Sequence, residues 1–365
     1  MFAYRNLRLA RDSRMMSQSE LTQRTGISQA TLSKIEKGLV NVTDSQIKTL
    51  SETLEYPISF FEEEIPSSQD NTMFYRKRQS LRAKDLTFLE SKITILGHCI
   101  DEMQESIELP EFRIPHCEVS PDLAADEIAF RIRTWLRIAP GPIDNFVSLL
   151  EKNGIVVVFL FGVDSDKFDG VSAFNQSNTP IMWINGSMPN DRKRFTLAHE
   201  LGHIVMHLRS EDFDKPEEEK EKEANLFAAE FLLPKIPCRE DLHALRYKDL
   251  ALKKMYWKVS KAFIVQRAGQ LGCITDKTKK YFFVTLGRNG ERKKEAGLVY
   301  LDTPQAVRKM VDLHLTELGY SYTELSEMMG LLEKDIHRDL RGERYPTNKI
   351  FLFPSTFATE QSNKE

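Results

Sequence analysis

Within RFTLAHELGHIVMH, residues 194–207, His199, Glu200 and His203 stand in the order HExxH. On a helix, residues at i and i+4 leave the same face about one turn apart, so both imidazoles can close on one Zn²⁺. Glu200 is then set to take a proton from water at the metal, the chemistry of metal-assisted hydrolysis. A helix is predicted here, because Phe195, Ala198, Gly202 and Val205 recur at three-to-four spacing, with Asn190 or Asp191 as its cap. His207 falls one turn past His203 and reads as a supporting or packing histidine.

An open catalytic zinc site needs a third protein ligand and leaves the fourth position to water. The next amphipathic helix, EKEANLFAAEFLLP, brings Glu223 where the segment turns apolar, and a carboxylate there must be justified by a partner. Glu223 is therefore the expected third ligand. Glu219 and Glu230 share its helical face and are rivals, although Glu219 lies in the acidic run EEEKEKE and reads better as solvated surface. One Zn²⁺ per chain is expected.

HELGHIVMH followed by EANLFAAEFLLP resembles the ImmA/IrrE family of zinc metallopeptidases. GVSAF, IMWIN and WKVSKAFIVQRAGQLG around them carry the same resemblance, which covers roughly Asp126 to Glu295. It implies a metallopeptidase core, often joined to a repressor-type DNA-binding domain, that cleaves a transcriptional repressor. Carried over position by position, it makes His199, His203 and Glu223 the metal ligands and Glu200 the catalytic base.

The elements that position these groups precede and follow them. Helices are expected over Ala124–Leu136 and Ile143–Lys152, then the apolar strand GIVVVFLF and two shorter strands, GVSAF and PIMWIN. A sheet edge beside the HExxH helix would pair with an extended peptide, and GVSAF is the candidate edge. Downstream, Ala251–Leu271 reads as one helix and Tyr281–Leu286 as a further strand. His243 and Tyr247 fall within range as donors to an oxyanion, though nothing singles out either.

Residues 5–62 carry five helical segments. Ser17 with Glu20 forms a capping box, Gly26 centres a tight turn, Ser28 caps the next helix and Gly38 closes it. This is a helix-turn-helix, with Leu21, Ile27, Leu32 and Ile35 facing inward. Gln29, Thr31, Ser33 and Lys34 lie outward, fit for base edges and phosphates, and Gln18 is placed to bind a phosphate or brace Gln29. LRLARDSRMMSQSELTQRTGISQATLSKIEKGLVNVT resembles the Cro/C1-type (XRE) DNA-binding domain nearly throughout, which implies a double-stranded operator as partner. The net charge of −3 hides a basic start: Met1–Val40 holds seven Lys/Arg against three acids.

Leu86, Leu89, Ile93, Leu96, Ile100, Met103 and Ile107 form a seam on a long helix over 85–109. Its spacing suits a homodimer interface or packing on the strand Ile155–Phe161 of the same chain. The tail repeats the first domain at an offset of 304, Leu325, Gly330, Leu331, Ile336 and Gly342 matching Leu21, Gly26, Ile27, Leu32 and Gly38. Its would-be reading face, Glu333, Lys334, Asp335, His337 and Arg338, is mixed in charge, so an interaction module or plain hairpin is expected there.

The scattered Cys99, Cys117, Cys238 and Cys273 suggest free thiols in a reducing cytoplasm, and no apolar run approaches the ~20 residues needed to span a bilayer. The expected layout is multidomain. An all-α helix-turn-helix domain (1–64) leads to a linker and long helix (65–115), then an α+β zincin-like domain with a small sheet (116–295). A mainly helical module (296–350) and a disordered tail (351–365) complete it. The function that follows is a cytoplasmic transcriptional regulator with a zinc-dependent endopeptidase domain that cuts a repressor-type partner or itself. Its rivals are a repressor whose peptidase fold only senses, and an antitoxin.

Overall fold

The computed structural model describes residues 2–66, 81–162, 167–210, 215–291 and 295–345. The tail read as disordered and most of the linker after Pro66 lie outside the described residues. The first domain holds α1 (Tyr4–Ser13), α2 (Gln18–Thr25), α3 (Gln29–Glu36), α4 (Asp44–Leu54) and a 3₁₀ turn, Ile58–Phe61. Its boundaries are set locally. Ser17 accepts from Glu20 N–H while Glu20 reaches back, Gly26 takes φ 73° where only glycine is at ease, and Ser28 accepts from Thr31 N–H.

Next comes α5 (Ala83–Gln104), the long seamed helix. Leu89, Ile93, Leu96, Ile100 and Met103 are all buried within this chain, in one core with Leu7, Leu21, Leu32 and Phe60 of the first domain and Leu325 and Ile336 of the tail. The seam is therefore core and not a free dimer face. At its far end Gln104 donates to Thr179 Oγ1 (2.9 Å) and accepts from Asn175 Nδ2 (2.5 Å), gripping the turn between two strands.

After α6 (Ala125–Trp135) and α7 (Phe146–Lys152) come β1 (Val156–Leu160), β2 (Gly170–Phe174) and β3 (Pro180–Asn185), in sheet order β1-β3-β2. β1 pairs parallel to β3, with Val156 opposite Ile181; β2 pairs antiparallel, with Ser172 opposite Met182. Period-two alternation sends Val156, Val158 and Leu160 toward α5 and Val157 toward the second core. Both faces are covered, which is why the strand reads as continuously apolar. β2 lies at one edge of this sheet.

The second core is built by α8 (Asn190–Met206), α9 (Glu217–Leu232), α10 (Lys235–Asp241), α11 (Leu250–Trp257), α12 (Lys261–Gln270) and α13 (Asp276–Arg288). Three expectations change here. Ala251–Leu271 is two helices, because Lys258 takes φ 57° and Ser260 caps a fresh start at Phe263 N–H. Tyr281–Leu286 is helical, the apolar middle of α13, whose start is capped by Thr275; a short apolar run alone does not distinguish strand from helix. Pro189 is the N-cap of α8, since Asn190 is engaged with Val299 O and Asp191 with Lys254 Nζ (2.6 Å).

The tail folds into α14 (Ala306–Thr316), α15 (Tyr322–Met329), a short turn of helix at Glu333–Asp335 and a π-helical Ile336–Leu340. The repeat is real in its first half: Ser321 and Glu324 form a capping box where Ser17 and Glu20 do, and Gly330 takes φ 62° as Gly26 takes 73°. The second half is cut short. Part of its would-be reading face meets the first domain, since Arg14 donates to the buried Asp335 (2.7 Å) and Lys334 pairs with Glu55 (2.8 Å), while Arg338 stays exposed.

Replacing Ile100 with Asp places a carboxylate where the side chain is fully buried among apolar groups. A loss on the order of 3–5 kcal/mol in urea denaturation is expected. A folded variant with an unchanged midpoint, altered only in oligomeric state, would instead make the seam an intermolecular surface.

Candidate metal centre and nucleic-acid interface

Helix α8 is buried on nearly all sides, so its polar residues must find partners inside the protein. His199 and His203 turn their Nε2 atoms to within 3.1 Å of one another. The carboxylate that completes the cluster is Glu221, with Oε2 3.3 Å from His199 Nε2 and Oε1 3.4 Å from His203 Nε2. Hydrogen bonds to His199 and then His203 hold the Glu221 carboxyl far below its usual range.

Glu223, the expected third ligand, lies elsewhere. Its Oε2 is 2.9 Å from His207 Nε2 and its Oε1 is 2.5 Å from Lys215 Nζ. The separation has a helical cause: two residues along α9 is a rotation of about 200°, so Glu221 and Glu223 point to different neighbours. Glu221 lies on the row of Ala224 and Ala228, Glu223 on that of Phe227 and Phe231. Of the rivals, Glu230 is bound to Arg267 and to Lys235 N–H (2.8 Å), a structural role at the helix end. Glu219 sits in the exposed first turn.

The donor set suits zinc. Two imidazole nitrogens 3.1 Å apart and a carboxylate whose two oxygens lie 3.3 and 3.4 Å from one nitrogen each are the N/O donors that an open zinc site uses. His199 Nδ1 faces Asn225 Oδ1 at 3.1 Å, leaving Nε2 for a metal.

Glu200 is buried beside the cluster and accepts a hydrogen bond from Ser172 Oγ (2.7 Å) on β2. Sequence reasoning misses Ser172. Its signal is a polar residue inside GVSAF at a position with no exposure at all. Phe195, half-buried, packs edge-on to Phe263 (5.1 Å) and forms an apolar wall next to His199. Tyr247, weighed as an oxyanion donor, gives its hydroxyl proton to Glu291 (2.8 Å) and accepts from Asn289; His243 is exposed just past α10.

On the first domain, Ser28, Gln29 and Lys34 are exposed, and Thr31 and Ser33 are half-exposed on α3. The amide of Gln18 donates to Glu36 Oε2 (2.8 Å), and Glu36 also holds Arg11 (2.7 Å to Glu36 Oε1). Gln18, Ser33, Lys37, Arg8 and Arg11 border a common groove with Thr87 of α5.

Among the described residues no helix is long and apolar enough to cross a membrane. All four cysteines are unpaired, Cys99 and Cys238 being buried.

Residues 150–268 match the family model of the IrrE N-terminal-like domain, the M78 peptidases, and residues 7–61 match that of the helix-turn-helix domain. A comparison with curated proteins finds no match. The first match spans β1 to α12 and so includes the histidine pair, Glu200 and Glu221. The second spans α1 to the 3₁₀ turn. The chain joins an XRE-type helix-turn-helix domain to an IrrE N-terminal-like domain of the M78 peptidase family.

Proposed function

We propose that the chain is a DNA-binding regulator whose peptidase-family domain is a zinc-dependent endopeptidase, acting on a repressor-type protein or on the chain itself. The observation that carries this reading is the convergence of His199, His203 and Glu221, with donor atoms within 4.8 Å of one another, beside the buried Glu200. A zinc ion held there supplies Lewis acidity toward a peptide carbonyl and toward water.

The remaining chemistry belongs to the protein. Glu200 accepts a proton as water attacks the carbonyl and passes it to the departing amine nitrogen. The Ser172 hydroxyl fixes one carboxylate oxygen, so the carboxylate meets the water in one orientation. An extended substrate adds a strand to the edge of β2, which carries its backbone past Ser172 and Glu200. Phe195 and Phe263 line the approach to His199 and favour an apolar side chain there.

The first domain would read an operator with α3. Ser28, Gln29, Thr31, Ser33 and Lys34 face the major groove, and Gln18 supports a phosphate contact through Glu36 and Arg11. Binding as a dimer on two half-sites is part of this proposal, with the contact between copies lying outside the buried seam of α5.

The test of the peptidase is to incubate metal-loaded protein with repressors encoded beside it and to follow cleavage by mass spectrometry. One defined cut is expected, lost in Glu200→Gln although that variant still binds one metal per chain. Glu221→Gln is expected to empty the site. Loss of metal in Glu200→Gln with retention in Glu221→Gln would reverse the two assignments. A metal-loaded wild-type protein that cuts nothing leaves the domain as a binding module.

For DNA, Gln29→Ala is expected to cost about 1–3 kcal/mol at the operator and little on random duplex, measured by fluorescence anisotropy. Equal losses on both would make Gln29 a phosphate or packing residue.

A further inference from the structure

A file of side chains leads away from the metal centre into the protein. His203 Nδ1 lies 2.9 Å from His207 Nδ1, His207 Nε2 lies 2.9 Å from Glu223 Oε2, and Glu223 Oε1 lies 2.5 Å from Lys215 Nζ. His203 and His207 are both buried, His203 almost completely. The geometry points to His207, Glu223 and Lys215 as positioning residues that fix the tautomer and ring orientation of His203 as a metal ligand. This rests on the zinc reading of the site.

The ring protons can be assigned one after another. A metal at His203 Nε2 requires that nitrogen to be unprotonated, so the ring proton sits on Nδ1. That proton is donated to His207 Nδ1, which must then be the acceptor nitrogen. Two Nδ1–H groups cannot face each other across 2.9 Å, so one of these nitrogens donates and the other accepts. The ring proton of His207 therefore sits on Nε2 and is donated to the Glu223 carboxylate. Lys215 Nζ holds the other oxygen of that carboxylate. Each link admits one orientation once the metal is bound. Outer partners of this kind hold a ligand's ring in place and raise its basicity.

The same file explains two sequence features that the metal site itself leaves unused. His207 falls one further turn along α8, on the His203 side, and Glu223 is the acid expected to bind metal but placed on the wrong row to do so. Both are placed one step behind the ligand.

The test uses the full chain. Zinc affinity is measured by competition with a chromogenic chelator for wild type, His207→Ala, His207→Gln and Glu223→Leu, with thermal melts of the metal-free proteins as the control for folding. His207→Ala and Glu223→Leu are expected to bind zinc about 10- to 100-fold more weakly. His207→Gln should recover most of the loss, because its amide oxygen accepts from His203 while its amide nitrogen donates to Glu223. A wild-type measurement stands beside these and is immune to misfolding: ¹⁵N shifts of the histidine rings in the zinc-loaded protein. They should show His203 protonated at Nδ1 and His207 protonated at Nε2 alone. Unchanged affinity in His207→Ala, no rescue by glutamine, or a doubly protonated His207 would each overturn the file while leaving the metal centre standing. A wild-type chain that takes up no stoichiometric zinc would bring down the metal centre and the file with it.

Discussion

Almost complete burial of α8 is the constraint on which the rest of the peptidase domain depends. A helix enclosed on one side by a sheet and on the other by α9 has little solvated face, so the polar groups around its histidines are met from other elements. Ser172 comes from β2 for Glu200, Asn225 and Glu221 from α9 for His199, and Glu223 from α9 for His207. The close approach of α9 needs Gly202, where an added Cβ would come within 3.2 Å of the Phe227 ring. Enclosure thus fixes Glu200 and His203, while Glu221 and Asn225 keep the α9 side of the site open to solvent.

A different enclosure joins the DNA-reading head to the tail. Arg14, stacked on the Tyr56 ring at 4.6 Å, donates to Asp335, which also holds Arg338; Lys92 of α5 donates to Asp339 (2.6 Å). Charges taken this far from water contribute little net stability even when well paired, but removing one partner leaves an uncompensated charge and is costly. Their value lies in geometry: they permit one docking of the tail hairpin on the head and oppose others. Burial raises the Tyr56 hydroxyl to about 12, so it stays a neutral partner to Ser13.

Much of this architecture is legible in the sequence, because local rules write it there. Capping boxes at Ser17 and Ser321, glycines at Gly26 and Gly330 and the 3.6-residue period outline both hairpins, since each of those signals acts within one turn of chain. The i, i+4 spacing of His199 and His203 likewise needs nothing beyond a helix. What escapes a sequence reading is the set of choices made between elements. Glu221 and Glu223 both border apolar rows of α9, and only the crossing of α8 and α9 decides which row meets the histidines. Ser172 acquires its meaning from a strand packed under the helix, and Asn190 and Asp191 lose their capping role to Val299 and Lys254, more than sixty residues away in the latter case. The seam of α5 is periodic enough for a coiled coil; nothing local to it announces that the first domain, the sheet and the tail cover it together.

That helix also acts as a gauge of distance and phase. Its 22 residues amount to about 33 Å of rod at 1.5 Å per residue. α1 is packed along it, and Gln104 at its far end grips the β2–β3 turn. Inserting one residue midway would turn one end about 100° relative to the other, so either the apolar seam would lose the head or Gln104 would lose the strands. A register that must be right at both ends constrains this stretch in length as the buried seam constrains it in sequence. Length variation in a chain built this way belongs to the loops, and the span from the DNA-reading surface to the strand under Glu200 is fixed by a count of helical turns.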